Sequence, residues 1–254
     1  MSPSRVVPSC FLTFLIVPLL CCAQSELRKN NLPAPDSAPS MVSVRELRIP
    51  EKAIKAFNKG TLFLTTKNSA ASIPEFERAI KAFPNFYEAY YKLGIAELDL
   101  QRREDARAAF GKSIELSDAR FAPPYFGLGL ALCGEKLILE AETSIRIGLG
   151  LDPTDAAGNF TLAWVLYSAS RFSDAEKSAR QAILYSANFA MAYLLLGQIH
   201  LRQNNLPALV EDLDTYLQLA PDSPQSVAAR TIRTQAQHFL ALQNLGSVVA
   251  KANP

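Results

Sequence analysis

Few side chains in this sequence are of the kinds that carry out reactions, and their spacing does not bring them together. The two histidines, His200 and His238, lie far apart, and neither has a cysteine or another histidine at metal-ligand spacing beside it. A lone histidine on a helix is read as solvated or satisfied locally, so no catalytic residue and no metal ligand is assigned. FGLGLALCG (126–134) offers Gly127 and Gly129 at the spacing of a dinucleotide-binding turn. That fingerprint needs a third glycine where Leu132 stands, and a strand before it; both are missing. No cofactor is expected, and the chain is read as not an enzyme.

The ends of the sequence speak about location. Arg5 precedes an apolar run from Cys10 to Cys22, followed by small residues ending at Ala23. This layout predicts a secretory signal peptide over residues 1–23 and an exported chain, periplasmic or extracellular. The run is shorter than the ~20 residues that span a bilayer. Lipid attachment at Cys21 or Cys22 is the alternative, and the only membrane contact considered; Leu20 stands where a small residue would be wanted. Removal of the first 23 residues leaves Cys133 as the sole cysteine, which excludes an internal disulfide. The charge balance, 26 basic against 24 acidic residues, is close to neutral, with no basic stripe for nucleic acid. Asn159-Phe160-Thr161 is formally a glycosylation sequon, to which no role is given in an exported chain of bacterial type.

What must position any binding surface is a repeat. YYKLG (90–94) returns as YFGLG (125–129), NFTLA (159–163) and YLLLG (193–197), with a weaker copy AFNKG (56–60). The closing small residues Gly60, Gly94, Gly129, Ala163 and Gly197 are separated by 34, 35, 34 and 34 residues. Twelve residues after these markers stand Ser72, Ala106, Ala141, Ala175 and Leu209; sixteen after stand Phe76, Phe110, Ile145, Ala179 and Leu213. Twenty-four after come Pro84, Asp118, Pro153, Ala187 and Pro221. Small residues let two antiparallel helices approach, large apolar ones wedge into the gap, and a proline ends the second helix. The unit is a helical hairpin.

A 34-residue unit with an aromatic, then Leu-Gly, Ala, Phe, Ala and Pro at these intervals resembles the tetratricopeptide repeat. Tyr90, Leu93, Gly94, Ala106 and Phe110 carry the pattern in one unit, and Tyr125, Leu128, Gly129, Ala141 and Pro153 in the next. The resemblance implies an all-α, right-handed superhelical solenoid of about five hairpins with a C-terminal capping helix. The expected division is signal peptide 1–23, flexible linker 24–41, lead-in 42–52 and array 53–223, then capping helix 224–245 and frayed tail 246–254. Within the array the units are 53–86, 87–121, 122–155, 156–189 and 190–223. Pro50 is expected to open the first helix. One extra residue near Asp118–Phe121 should widen a turn, and Leu209 with Tyr216 should hold the last pair of helices further apart.

In such an array the first helices line a concave face. The residues three before each marker, Phe57, Tyr91, Phe126, Phe160 and Leu194, are expected there, together with Trp164 and Tyr167. An apolar patch of that kind on a monomer marks an interaction site. The family's groove that clamps a C-terminal carboxylate needs polar or basic groups where Phe57, Thr61, Thr161 and Leu195 stand, so that type is not expected. The function read from the sequence is a non-enzymatic interaction module of the cell envelope, holding a peptide or protein segment along a partly exposed apolar groove. The alternatives are self-association or envelope assembly through the array's edges, and an enzyme or its helper domain.

Overall fold

The computed structural model describes residues 49–252, with side chains to Gln243. The expected signal peptide, the linker and most of the lead-in lie outside the described residues. Ten helices form five antiparallel hairpins: α1 (Glu51–Thr65) with α2 (Ser69–Ala82), α3 (Tyr87–Asp99) with α4 (Arg103–Leu116), α5 (Pro123–Gly134) with α6 (Ile138–Leu151), α7 (Ala156–Ser168) with α8 (Phe172–Tyr185), and α9 (Ala190–Arg202) with α10 (Leu206–Leu219). An eleventh helix, α11 (Ser226–Ala252), follows them, and no strand occurs among the described residues. Each helix packs on the next in sequence, and the first helices of successive hairpins also touch. The result is the solenoid that the 34-residue period predicts.

Both ends of each hairpin are set by local chemistry. Asn68, Asp155 and Asn205 cap α2, α7 and α10 by accepting from the backbone N–H three residues on. Between the two helices of every hairpin stands one residue in the left-handed region: Lys67, Gln101, Lys136, Ser170 and Asn204. Each lies seven residues after its marker, and none is glycine. The residue after it donates its N–H back to the carbonyl five positions earlier, as Arg102 does to Glu97 at 2.9 Å and Leu137 to Leu132 at 3.0 Å. This closing bond satisfies the last carbonyls of the first helix and turns the chain.

The extra residue between hairpins two and three has the expected effect. Asp118 and Ala119 are left-handed in succession, at φ 51° and 57°, and Ala119 donates to the carbonyl of Ile114 at 2.9 Å. Packing inside each hairpin then follows a size rule. A Cβ added to Gly60 would come within 2.8 Å of the Phe76 ring, one on Gly94 within 2.6 Å of Phe110, and one on Gly129 within 2.4 Å of Ile145. On Gly197 the nearest atom, of Leu213, is 3.1 Å away, so the gap is looser in hairpin five, where the bulky Leu209 and Tyr216 are also buried. Hairpin four inverts the rule: Ala163 replaces the glycine and Ala179 the large residue, and both are fully buried.

Helix α11 seals the last hairpin through Ala229, Ile232 and Ala236. It continues to Ala252, past residue 245 where the capping helix was expected to end. Apart from Gly246 the segment consists of residues that a helix tolerates, and one glycine does not end it.

Candidate functional site

The residues expected to line the concave face belong to α1, α3, α5, α7 and α9. Their placement corrects the partly exposed ladder. Tyr91 and Phe126 are 1% exposed, Phe160 and Leu194 0%, and Trp164 5%. The cause is packing between hairpins. Phe126 fills a slot made by two glycines, where a Cβ on Gly148 or Gly158 would come within 2.6 or 2.5 Å of its ring. Tyr91 meets Phe110 and, edge-on, Phe121, with centroids 6.1 and 5.5 Å away. Phe160 stands edge-on to Phe189 at 5.2 Å. These side chains are wedges between successive hairpins.

Two members of the ladder stay partly open. Phe57, in the first hairpin, leans on Phe76 and Phe86 at 5.9 and 4.9 Å. Tyr167 stacks on Trp164 at 5.9 Å, and its hydroxyl accepts a bond from Arg202 Nε at 3.4 Å. Four residues after the markers of hairpins three, four and five come Cys133, Tyr167 and Leu201, all partly exposed. This file of one thiol, one ring and one aliphatic chain is what the expected groove retains. Burial pushes the Cys133 thiol up, against a hydrogen bond with Ser168, so the thiol is not activated. The Trp164 indole Nε1 is buried without an acceptor.

Lys92, one residue after Tyr91, is the buried charge of this region. It is 3% exposed, its amine lies 5.4 Å from the Tyr91 ring centroid, and burial pushes it down to about 8. His200 is satisfied locally, as expected. Its Nδ1 is 2.6 Å from Asp212 and its Nε2 3.5 Å from Glu176. Among the described residues no group of three or more His, Cys, Asp or Glu side chains is placed to hold a metal. No described helix is long and apolar enough to cross a membrane.

One surface was not anticipated. Tyr125, Leu128 and Leu132 of α5 and Leu139, Thr143 and Ile147 of α6 line an apolar cleft of about 360 Å³. Leu139 is 76% and Ile147 48% exposed. The signal was available: positions 139, 143 and 147 share one face of a helix at spacing four, opposite the face that carries Ala141, Ser144, Ile145 and Gly148 inward.

The sequence matches the family described as tetratricopeptide repeat over residues 57–121 and 160–224, just over half of the chain. The chain belongs to the tetratricopeptide repeat family. Its members are protein-interaction modules, generally without enzymatic activity of their own. No curated protein matches it significantly. Among solved structures, the tetratricopeptide protein TTC0263 of Thermus thermophilus shares 19% identity over 73% of this chain and 98% of its own, with a TM-score of 0.64. PilW, a type IV pilus biogenesis factor, shares 14% over 75% and 93%, with a TM-score of 0.62. MamA shares 22% over 67% and 93%, with a TM-score of 0.51. Identities this low speak for the tetratricopeptide fold alone.

Proposed function

We propose that this tetratricopeptide array is a non-enzymatic module of the cell envelope that holds a peptide or protein segment on its inner face. The observation carrying the reading is the partly open file Cys133, Tyr167 and Leu201, repeated once per hairpin along hairpins three to five. A partner's apolar side chains spaced along such a file would meet one anchor per hairpin, with Tyr167 offering both a ring and a hydroxyl. Arg202, beside that hydroxyl, adds a donor for a backbone carbonyl or carboxylate. A photo-crosslinker at Tyr167 should capture a defined envelope partner, and Tyr167→Ala should weaken its binding by about 2 kcal/mol. Equal capture from a crosslinker at exposed Glu104 would sink the reading.

The cellular address rests on Arg5, the apolar run to Cys22 and the small residues ending at Ala23. N-terminal sequencing should give a mature protein starting at Gln24; a retained Met1, or acyl chains on Cys21 or Cys22, would overturn it. A second reading, assembly through the outer edge, is favoured by the apolar cleft of hairpin three and its exposed Leu139. It expects self-association on a sizing column that Leu139→Glu abolishes.

A further inference from the structure

The first helix of each hairpin turns one side toward the hairpin before it. Counted from the marker, that side carries the residues five and two before it and two and three after it. A Cβ on Gly158, five before its marker, would meet the Phe126 ring of hairpin three, and one on Gly127, two before, the Phe110 ring of hairpin two. His200, three after its marker, stands 3.5 Å from Glu176 of hairpin four. In hairpins two to five every residue at these four positions is buried. Two after the marker the side chains of Ala96, Ala131, Val165 and Ile199 are all at 0% exposure.

Hairpin one breaks the pattern. Its residues at these positions are Lys55, Asn58, Leu62 and Phe63. Lys55 and Asn58 are exposed, Phe63 is partly open, and Leu62 is 61% exposed. Lys59, beside Asn58, pairs with Glu75 at 2.8 Å, and its Nζ lies 5.7 Å from the Phe63 ring centroid. This leading face therefore ends in an uncovered apolar pair, with two lysines between that pair and the start of α1. At the far end of the array α11 covers the corresponding surface of hairpin five.

The chain that enters α1 has the composition to cover this face. Val42, Val44, Leu47 and Ile49 alternate with polar and charged residues, and Ile49 packs at the foot of α1 against the cluster of Ala53, Ala79, Phe86 and Ala89. An extended chain advances about 3.3 Å per residue and a helix 1.5 Å. Run back along α1 from Pro50, Val44 would reach about 20 Å, and Leu62 lies about 18 Å along the helix. In the same register Glu46 and Lys59 both fall at about 13 Å. Apolar residues then meet apolar ones, and an acid meets a lysine. A second copy docked here would gain neither match, because a two-fold contact sets each face against itself, lysines included.

We propose that the leading face of hairpin one is the docking site of residues 42–48 of the same chain, with Val44 on Leu62 and Phe63 and Glu46 at Lys59. The segment does for the first hairpin what α11 does for the last. Its tether through Pro50 makes the contact intramolecular, so a short segment suffices where a free peptide of that length would not.

Thiol alkylation on the full chain tests this, read site by site from peptide masses, each rate normalised to that of the urea-unfolded chain. Leu62→Cys should react about tenfold slower than a control at a position without a docked segment. Leu184→Cys is that control, since Leu184 on α8 is 70% exposed. Adding Val44→Asp should bring the thiol at 62 up to the rate of the control. Amide exchange gives a second measurement should the new thiol disturb the contact: residues 42–48 should be protected in the unaltered chain and lose that protection in Leu62→Asp. Equal rates at 62 and 184 together with unprotected amides over 42–48, slow reaction that Val44→Asp leaves unchanged, or protection that fades on dilution as a second copy would require, overturns the proposal.

Discussion

Gly94 on α3 and the ring of Phe110 on α4 occupy adjoining space so closely that a Cβ on the glycine would stand 2.6 Å from Cε1. Neither partner can yield cheaply, because Phe110 is fully buried and its far edge already abuts Gly127 of the next hairpin, where a Cβ would meet it at 2.4 Å. Gly94→Ala should therefore lose about 1–3 kcal/mol through overpacking, despite the better helix propensity of alanine. Gly197→Ala is the control. Its nearest neighbour is a flexible leucine at 3.1 Å, so propensity and crowding should nearly cancel. Urea unfolding followed by circular dichroism separates the two.

Trp164, the only tryptophan, reports on the wedge between hairpins. At 5% exposure it should resist quenching by acrylamide and emit as a buried indole. Trp164→Ala should lower stability by about 3–5 kcal/mol, through lost burial and the cavity left behind. Strong quenching in the free protein would return this residue to an open groove.

Lys92 predicts an alkaline response. Burial holds its folded pKa at about 8, below the ordinary value of 10.5. Between those two values the unfolded chain binds more protons, so this group makes stability rise with pH from about 8 to about 10.5. Below pH 8 the full penalty of the buried ammonium is present. Lys92→Met should stabilise the array at pH 7 by about 1–3 kcal/mol. The gain should disappear near pH 10.5, which melting curves at the two pH values would show.

Ala119 sits at φ 57°, a conformation that an alanine adopts only against its own Cβ. Ala119→Gly should raise stability by about 0.5–1 kcal/mol, the relief of strain exceeding the added chain entropy of glycine. Ala119→Val should lower it. Thermal unfolding of the three proteins decides.

The architecture was legible because a constant period of small and large residues has few other physical solutions. The inner face was misread because the same period fits two jobs. A residue three before the marker can look into the groove or wedge against the next hairpin, and spacing alone does not separate them. The glycines at 148 and 158 that receive Phe126 were the missing signal, and the second of them matters only once the neighbouring hairpin is in place. Helix α7 carried another: every residue from Ala157 to Leu166 is buried. A helix apolar on all sides has no exposed stripe to offer. His200 was read as locally satisfied, and within its own hairpin Asp212 does satisfy it, but Glu176 meets it only after two hairpins dock.

The seats of Phe110 and Phe126 also bear on how such a chain can change over generations. Phe110 of the second hairpin needs Gly127 in the third, and Phe126 of the third needs Gly158 in the fourth. At the corresponding places the fifth hairpin has Leu195 and Ala192. A copy of the fifth hairpin transposed behind the second would drive a leucine into the space that the Phe110 ring fills. The hairpins look like interchangeable beads, yet their order is written into the seams, and recombination that shuffles them must carry matched neighbours together.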